Sequence, residues 1–576
     1  MRRLVVIKDW VVLMSKSKPK KILFGCFKLV LYFILLVVLL VAVWLAFNFR
    51  FGPSEGEPLV EVSTETTRIT EPLDSNGDVD FLEAVNLRCA EGVTTENNAF
   101  VKLFQVLGPI PKDAEKTSKI AKRLGIDAFE AGGSYFRDFD DWLVVDADRR
   151  REEVWKKEMG EEAMAEMEAL AASETQPEPA PEVSMFDFSL DEREKMEKLF
   201  VACEFAELNP WSSEDFPEIE KWRKSHEPLM NVAREGIQRS HYYYPLVSTQ
   251  LPQVMSADLH YSIEMPKLGS YLSLNAMNCL QRGDVEGCIT DLKSQQKLAA
   301  LISQGPTIIE ELVALKVTNE AFNGFVSLCA SEKADVQQLK GLLEWVSEIE
   351  MIENASERVD QMDRFLGLDA VVSMARGSAV GGVPYSIGPY SQLIDWEVAL
   401  PIMNAYYDRF VEAAAVKDAK QFDEAWTLLE DEMIGNENWV MDNMASAASK
   451  GRKSKGIWMG RMLSGHLMPA IKGVVESEHA IKTKQALLKM TIAASIFKKE
   501  NGQYPDALAD LAPDYLDVLP NDPMSGKPFE IQELENGIRI QSAQWDSSDI
   551  GFDVKDRLFI ELKKQQTWEQ FFNEYE

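Results

Sequence analysis

Leu29 to Phe47, LVLYFILLVVLLVAVWLAF, constrains this chain more than any other stretch. It holds nineteen residues and no charge. At about 1.5 Å rise per residue, a helix of that length reaches roughly 28 Å and spans the hydrocarbon core of a bilayer. No other stretch is comparably long and apolar. The expectation is one transmembrane helix near the N-terminus, with more than five hundred residues following it. Arg2, Arg3, Lys8, Lys16, Lys18, Lys20, Lys21 and Lys28 precede the run against a single acid, Asp9. The excess of cations places this basic tail, residues 1–28, in the cytoplasm and the bulk of the chain outside it. A cleaved signal peptide would need small residues at the −3 and −1 positions of its cut. Val43 to Asn48 offers only Ala46, with Trp44 two places before it, and Cys26 precedes the apolar run where a lipoprotein cysteine would follow it.

The chain has 576 residues and a formal charge of −32. Nine of its 61 Lys and Arg and one of its 93 Asp and Glu lie in residues 1–50, so the remainder carries a balance of −40. Such a surface repels nucleic acid and anionic lipid headgroups over a Debye length of about 8–10 Å. No nucleic-acid partner is expected; the bilayer is the partner read from Leu29–Phe47. Five cysteines follow the span: Cys89, Cys203, Cys279, Cys288 and Cys329. Their spacing fits no zinc motif. The last three fall on apolar helical faces and act there as small hydrophobes, although an oxidising compartment would permit a disulfide between two of them.

Residues 48–78 form a juxtamembrane linker rich in Gly, Pro, Ser, Thr and Glu. Within it Asp74-Ser75-Asn76-Gly77-Asp78 starts like a calcium loop, but the Gly and Glu such a loop requires are replaced by Val79 and Val85. It reads as a turn capping the next helix. Residues 79–172 are helical, with Phe100, Val101, Leu103, Phe104 and Leu107 at helical spacing and a charged helix from Glu152 to Ala172. SETQPEPAPEVS, residues 173–184, is a Pro- and Glu-rich linker. Residues 185–475 form a helical body of antiparallel helices with short turns, a bundle or short solenoid of tetratricopeptide-like character. Gly283 ends one helix there, Asp284 and Asp335 cap others, and Pro306 suits a first helical turn. The Gly-rich stretch 377–389 lacks GKS or GKT and reads as a surface loop.

From Glu476 a long helix leads into a small α+β module, residues 476–576. Phe529–Leu534 and Ile538–Ser542 are strands joined across Asn536-Gly537, and Leu558–Leu562 is a third. Ile481, Leu488, Ile492 and Phe497 give the helix an apolar face to pack on that sheet. The fold class is thus mainly α: one membrane helix, an antiparallel helical ectodomain and a terminal module of one helix and about three antiparallel strands.

No histidine among His226, His241, His260, His466 and His479 sits in HExxH, and no nucleophile elbow, Walker loop or dinucleotide fingerprint occurs. His226 and His241 would form a polar cluster only if their helices packed together. Asp369 and Asp395 flank the Gly-rich loop, so these four residues mark the candidate pocket. Asp363 and Arg364 beside them are expected as buried ion pairs fixing helices. Neither a catalytic residue nor a cofactor is assigned.

Gly502, Tyr504, Pro505, Leu508, Leu511, Tyr515, Leu516, Pro520, Asp522, Pro523 and Gly526 resemble the globular part of the G-type major pseudopilins of type II secretion. The likeness covers about a tenth of the chain. Lys20 to Tyr32 carries no prepilin-peptidase pattern, so the resemblance implies the fold of the module and not assembly as a pilin. It also implies a calcium loop, whose counterpart here holds Asp546 and Asp549. The wider region, with ENNAFVKLFQVLGP (96–109), NPWSSEDFPEIEKW (209–222) and IDWEVAL (394–400), resembles an uncharacterised family of bacterial single-span membrane proteins that join a helical body to such an end. That resemblance implies an inner-membrane anchor and a periplasmic ectodomain. The expected role is a non-enzymatic scaffold or protein-interaction module engaging envelope proteins. A hydrolase of envelope polymers with its site between helical layers, and a secretion-system accessory, are the alternatives. A reporter that works only outside the cytoplasm should be active when fused after Glu576; activity only when fused before Arg2 would reverse the orientation.

Overall fold

A computed structural model of the chain describes residues 36–39, 57–111, 113–127, 129, 133–159, 184–376, 388–433, 451–542, 559–563 and 567–575. Of the apolar run Leu29–Phe47, only Leu36–Leu39 fall within these, as helix with exposed side chains. Among the described residues no helix is long and apolar enough to cross a membrane. Asp546 and Asp549, residues 377–387 and residues 173–183 lie outside the described residues.

The fold is mainly helical, with one three-stranded antiparallel sheet near the C-terminus. In chain order the helices are α1 (Phe81–Cys89), α2 (Ala99–Leu107), α3 (Ala114–Leu124), α4 (Phe139–Met159), α5 (Leu190–Leu208), α6 (Pro217–Ile237), α7 (His260–Gln281), α8 (Val285–Ile302), α9 (Ile308–Ala330) and α10 (Val336–Glu348). A short α11 (Ala355–Arg358) runs through a π-helical turn, Val359–Asp363, into α12 (Arg364–Ala375). Then come α13 (Trp396–Ala414), α14 (Ala419–Met433) and α15 (Arg452–Asn501), followed by strands β1 (Glu530–Leu534), β2 (Gly537–Gln541) and β3 (Phe559–Lys563), and a last helix α16 (Trp568–Tyr575).

Short polar side chains start several of these helices, each satisfying an amide that the first turn leaves free. Asp284 accepts from Gly287 N at 2.9 Å and Asp335 from Gln338 N at 2.8 Å, as expected. Pro306 stands just before the cap of α9 rather than in its first turn: Thr307 is the cap, and with Glu310 it completes a reciprocal capping box. Asp74 Oδ1 accepts from Asn76 N at 2.8 Å and Asp78 N at 3.0 Å, so DSNGD is a turn, but the cap of α1 is Asp80.

Residues 57–78 are not a free tether. Val60 is buried, Leu59 N donates to Asp78 Oδ1 at 2.8 Å, and Asn404 Nδ2 on α13 donates to the carbonyls of Glu65 at 2.9 Å and Thr66 at 3.1 Å. Partners from distant helices satisfy the irregular backbone and let it pack.

The largest departure is α15. It begins at Arg452 rather than near Glu476 and runs unbroken for 50 residues, roughly 75 Å. Gly456 and Gly460, poor helix formers by themselves, serve contact. A Cβ on Gly456 would lie 2.3 Å from the Asp395 carbonyl oxygen, and one on Gly460 2.7 Å from that of Ala399. Only glycine lets α15 approach the start of α13 that closely. Further along, Ile471, Val474, Ile481, Leu487, Leu488, Ile492 and Ile496 are buried, as α15 packs against α9, α10 and α13.

The sheet has order β1-β2-β3, with Ile531 opposite Ile540 and Ile538 opposite Leu562. The two-residue turn is Glu535-Asn536; Gly537 already pairs with Leu534. Ile538, Ile540 and Leu562 are buried, and β3 packs on both α15 and α9. Phe497 is half-buried against the Tyr515 ring at 5.7 Å rather than central to the sheet. The chain then returns to its N-terminal half: the Trp568 ring of α16 meets Phe205 edge-on at 5.5 Å and Phe571 meets it tilted at 5.3 Å. One buried apolar cluster runs from Val60 to Leu562, and the boundary expected near residue 476 falls inside α15.

Leu488→Ala on α15 should therefore cost about 2–5 kcal/mol. In sub-denaturing urea it should expose cleavage sites in both 260–346 and 476–542. Cleavage confined to 476–576 would show that the end module unfolds by itself.

Candidate functional site

A cleft of about 1420 Å³ opens between the loop after α2, the 133–142 stretch, α6 and α7. Its back wall is set by aromatic packing. Phe136 N donates to the Val106 carbonyl at 2.9 Å, which draws the 133–142 stretch onto the end of α2. Gly108 has φ +81°, and a Cβ there would lie 2.3 Å from the Tyr135 ring, so this approach requires glycine. The Phe136 ring meets Trp222, His226 and Tyr271 edge-on, and Trp222 Nε1 donates to the Arg137 carbonyl at 2.9 Å.

His226 is buried in that wall. Its Nδ1 donates to the Trp222 carbonyl at 2.9 Å and its Nε2 accepts from Arg137 N at 3.4 Å. Burial pushes its pKa down, and Arg137 adds to this, against the opposing hydrogen bond to Trp222. With both ring nitrogens engaged and the ring neutral, His226 positions the wall.

The open side carries charge. Lys267 Nζ lies 2.8 Å from Asp138 Oδ2, 3.0 Å from Glu264 Oε2 and 3.7 Å from Asp141 Oδ2. Burial works against this ammonium, yet its bonds to Asp138 and Glu264 raise its pKa on balance. Asp140 is pushed up to about 6, by partial burial and then by Asp138 and Asp141, with Lys267 opposing them only weakly. Its side chain still meets water, which screens that repulsion. Trp142 and Tyr135 complete the lining. The result is a wide, aromatic-walled cleft in which acids outnumber bases.

The four residues marked from sequence fall in separate places. His241 lies outside the cleft: its backbone bridges Asn98, and its ring Nδ1 meets Ser240 Oγ at 2.7 Å. Asp395 precedes α13 and makes no side-chain cap bond. Asp369 lines a second, small cavity of about 60 Å³ with Asp74, Asp78, Asp80 and Arg376. There its Oδ2 accepts from Val254 N at 2.7 Å, and burial pushes its pKa up to about 6. Arg364 is fully buried and pairs with Asp360 at 2.8 Å and Asp408 at 2.7 Å, the helix-fixing role expected of it. Lys267, Glu264 and Trp142 carried no motif. The run Phe136-Arg137-Asp138-Phe139-Asp140-Asp141-Trp142, dense in aromatics and acids, was the one visible signal.

The pseudopilin-like residues are structural. Asp522, fully buried, accepts from Met524 N at 2.9 Å, Thr483 Oγ1 at 3.1 Å and Ser525 Oγ at 2.6 Å, and also from Ser542 Oγ. It ties α15, the turn at Gly526 and the end of β2 together. Gly502, at φ +84°, ends α15; Tyr504 covers Lys498; Tyr515 donates to Glu500. Pro505, Leu508 and Leu511 are buried beneath the turn, with Leu516 half-buried and Pro520 and Pro523 in the extended approach to it. The five cysteines after the apolar run are free, and burial pushes the Cys329 thiol up to about 12. Among the described residues no group of His, Cys, Asp and Glu is placed to hold a metal ion. No family model, curated protein or solved structure matches this chain.

Asp369→Ala would leave the buried Val254 amide without its acceptor and should cost about 1–3 kcal/mol in chemical denaturation. Protease should then cut first within 248–256. An unchanged midpoint would show that water replaces the carboxylate.

Proposed function

We propose that this protein is a membrane-tethered binding module on the extracytoplasmic side of a bacterial inner membrane. Its tetratricopeptide-like helical body presents the cleft around Lys267 to a cationic segment of an envelope protein. The observation that carries the reading is the composition of that cleft: among the described residues Asp140, Asp141 and Glu264 line it beside Lys267 and Arg137, and Asp138 adds a fourth carboxylate against Lys267. A basic side chain entering there would relieve the mutual repulsion of the acids, and its aliphatic stem would lie on Trp142 and Tyr135. The apolar run Leu29–Phe47 supports the tether, and the acidic ectodomain supports steering of a cationic partner. The pseudopilin-like end serves as a brace for α15 in this reading.

A fluorescent octalysine peptide is a suitable probe. Its affinity should fall about tenfold, or about 1.4 kcal/mol, in the double variant Asp140→Asn, Asp141→Asn. The charge-matched control Asp514→Asn, Asp517→Asn, at exposed positions of the end module, should bind like the native protein. Equal losses in both would reduce the effect to bulk charge and overturn the assignment of the cleft.

A further inference from the structure

Away from the cleft, the first turn of α9, the middle of α15 and the turn before α11 meet at two buried carboxyl groups. Asn354 N donates to Glu311 Oε1 at 3.3 Å, and the next amide, Ala355 N, donates to Glu478 Oε1 at 2.9 Å. Consecutive residues stand about 3.8 Å apart, so amides this close bring the two carboxyls together. Both side chains are buried, and Glu311 Oε2 has no N–H or O–H donor. Two carboxylates cannot share such a place as anions; a proton between them makes one the donor to the other.

Among the described residues no cation pairs with either carboxyl instead. Lys417 and Lys482 both pair with Glu353. Arg358 donates to the Ser303 carbonyl, and its Nε meets no acceptor. Asp363, in the π-helical turn, is buried with Oδ2 unpartnered, and burial followed by the charge of Glu311 pushes it up to about 7. Glu310 is turned away, in its bonds with Thr307 and Ser262. His479, beside Glu478, lies on the Phe422 ring and is pushed down to about 4 by burial and then by Lys482.

We propose that Glu311 and Glu478 form a proton-operated latch: while they share a proton they hold α9 and α15 to the Asn354-Ala355 turn, and its loss releases α15 there. The turn that follows is π-helical, a form frequent at functional sites. Burial, and then the hydrogen bond with Glu311, raise Glu478 from 4.5 to about 10. A raised carboxyl favours the folded state while it is protonated. The contribution is complete below the unfolded value near 4.5 and is lost as pH climbs through about 10.

Hydrogen exchange of the full-length protein in detergent micelles tests this, with rates corrected for their intrinsic pH dependence. From pH ~6 to pH ~9.5, exchange in peptides covering 350–363 and 474–486 should rise at least about tenfold, while 217–237 stays unchanged. Glu478→Gln keeps a donor for Glu311 and removes the shared proton's titration, so its 350–363 segment should remain protected at the higher pH. Equal exchange in native and variant protein, or no rise in the native, would overturn the latch. A second measurement does not depend on the variant's folding. At pH ~9 the native infrared spectrum should retain a protonated carboxyl band, after Glu207 at about 8 and Asp363 and Glu320 at about 7 have ionised. A spectrum without that band would equally overturn the proposal.

Discussion

The close approach of α15 to α13 organises the molecule. Backbone meets backbone at Gly456 and Gly460, where a single methyl group would collide with a carbonyl oxygen. That contact lets the same helix continue between α9, α10 and α13 with its apolar residues covered on nearly every side. A helix buried all round is a spine rather than a surface element. The terminal sheet closes over its far end, and α16 carries the chain back to Phe205 on α5. The parts of the fold therefore share one core, and the small sheet gains the helical support that three strands in water require.

An acidic chain must also decide which carboxylates to bury. Two of the buried ones sit where several amides or hydroxyls converge. Asp522 collects its donors from a helix, a turn and a strand end, and Glu310 closes a capping box with Thr307. Each such acceptor fixes the elements that supply its donors, since leaving those donors dry would be costly. Arg364 does the same with the opposite sign, bridging the π-helical turn and α13. Glu311 and Glu478 differ, because their donors are too few for two charges and the balance falls to a proton.

The cleft around Lys267 follows another logic. Its wall is rigid because rings pack edge-on and His226 spends both nitrogens on backbone groups. Its rim is wet, and its acids face whatever approaches. A stiff aromatic wall beside a solvated anionic rim suits recognition of a flexible cation, whose ordering cost the preformed wall does not increase.

The sequence by itself determined the local features. The apolar run, the helical character of the body, the caps at Asp284 and Asp335, the end of α15 at Gly502 and the β1–β2 hairpin all depend on residues within a turn of one another. Such signals survive in one dimension. The extent of α15 was hidden because glycine is a poor helix former by itself, and only the carbonyls of Asp395 and Ala399 show what Gly456 and Gly460 are for. His226 and Asp369 were visible as polar residues of interest, but the structure sends them to different cavities. Lys267 meets Asp138, and Glu478 meets Glu311, across more than a hundred residues of chain. In a chain with 93 acids no local pattern distinguishes those partners from the rest. Tertiary structure alone decided them, because burial and the supply of donors are properties of packed helices rather than of neighbours in sequence.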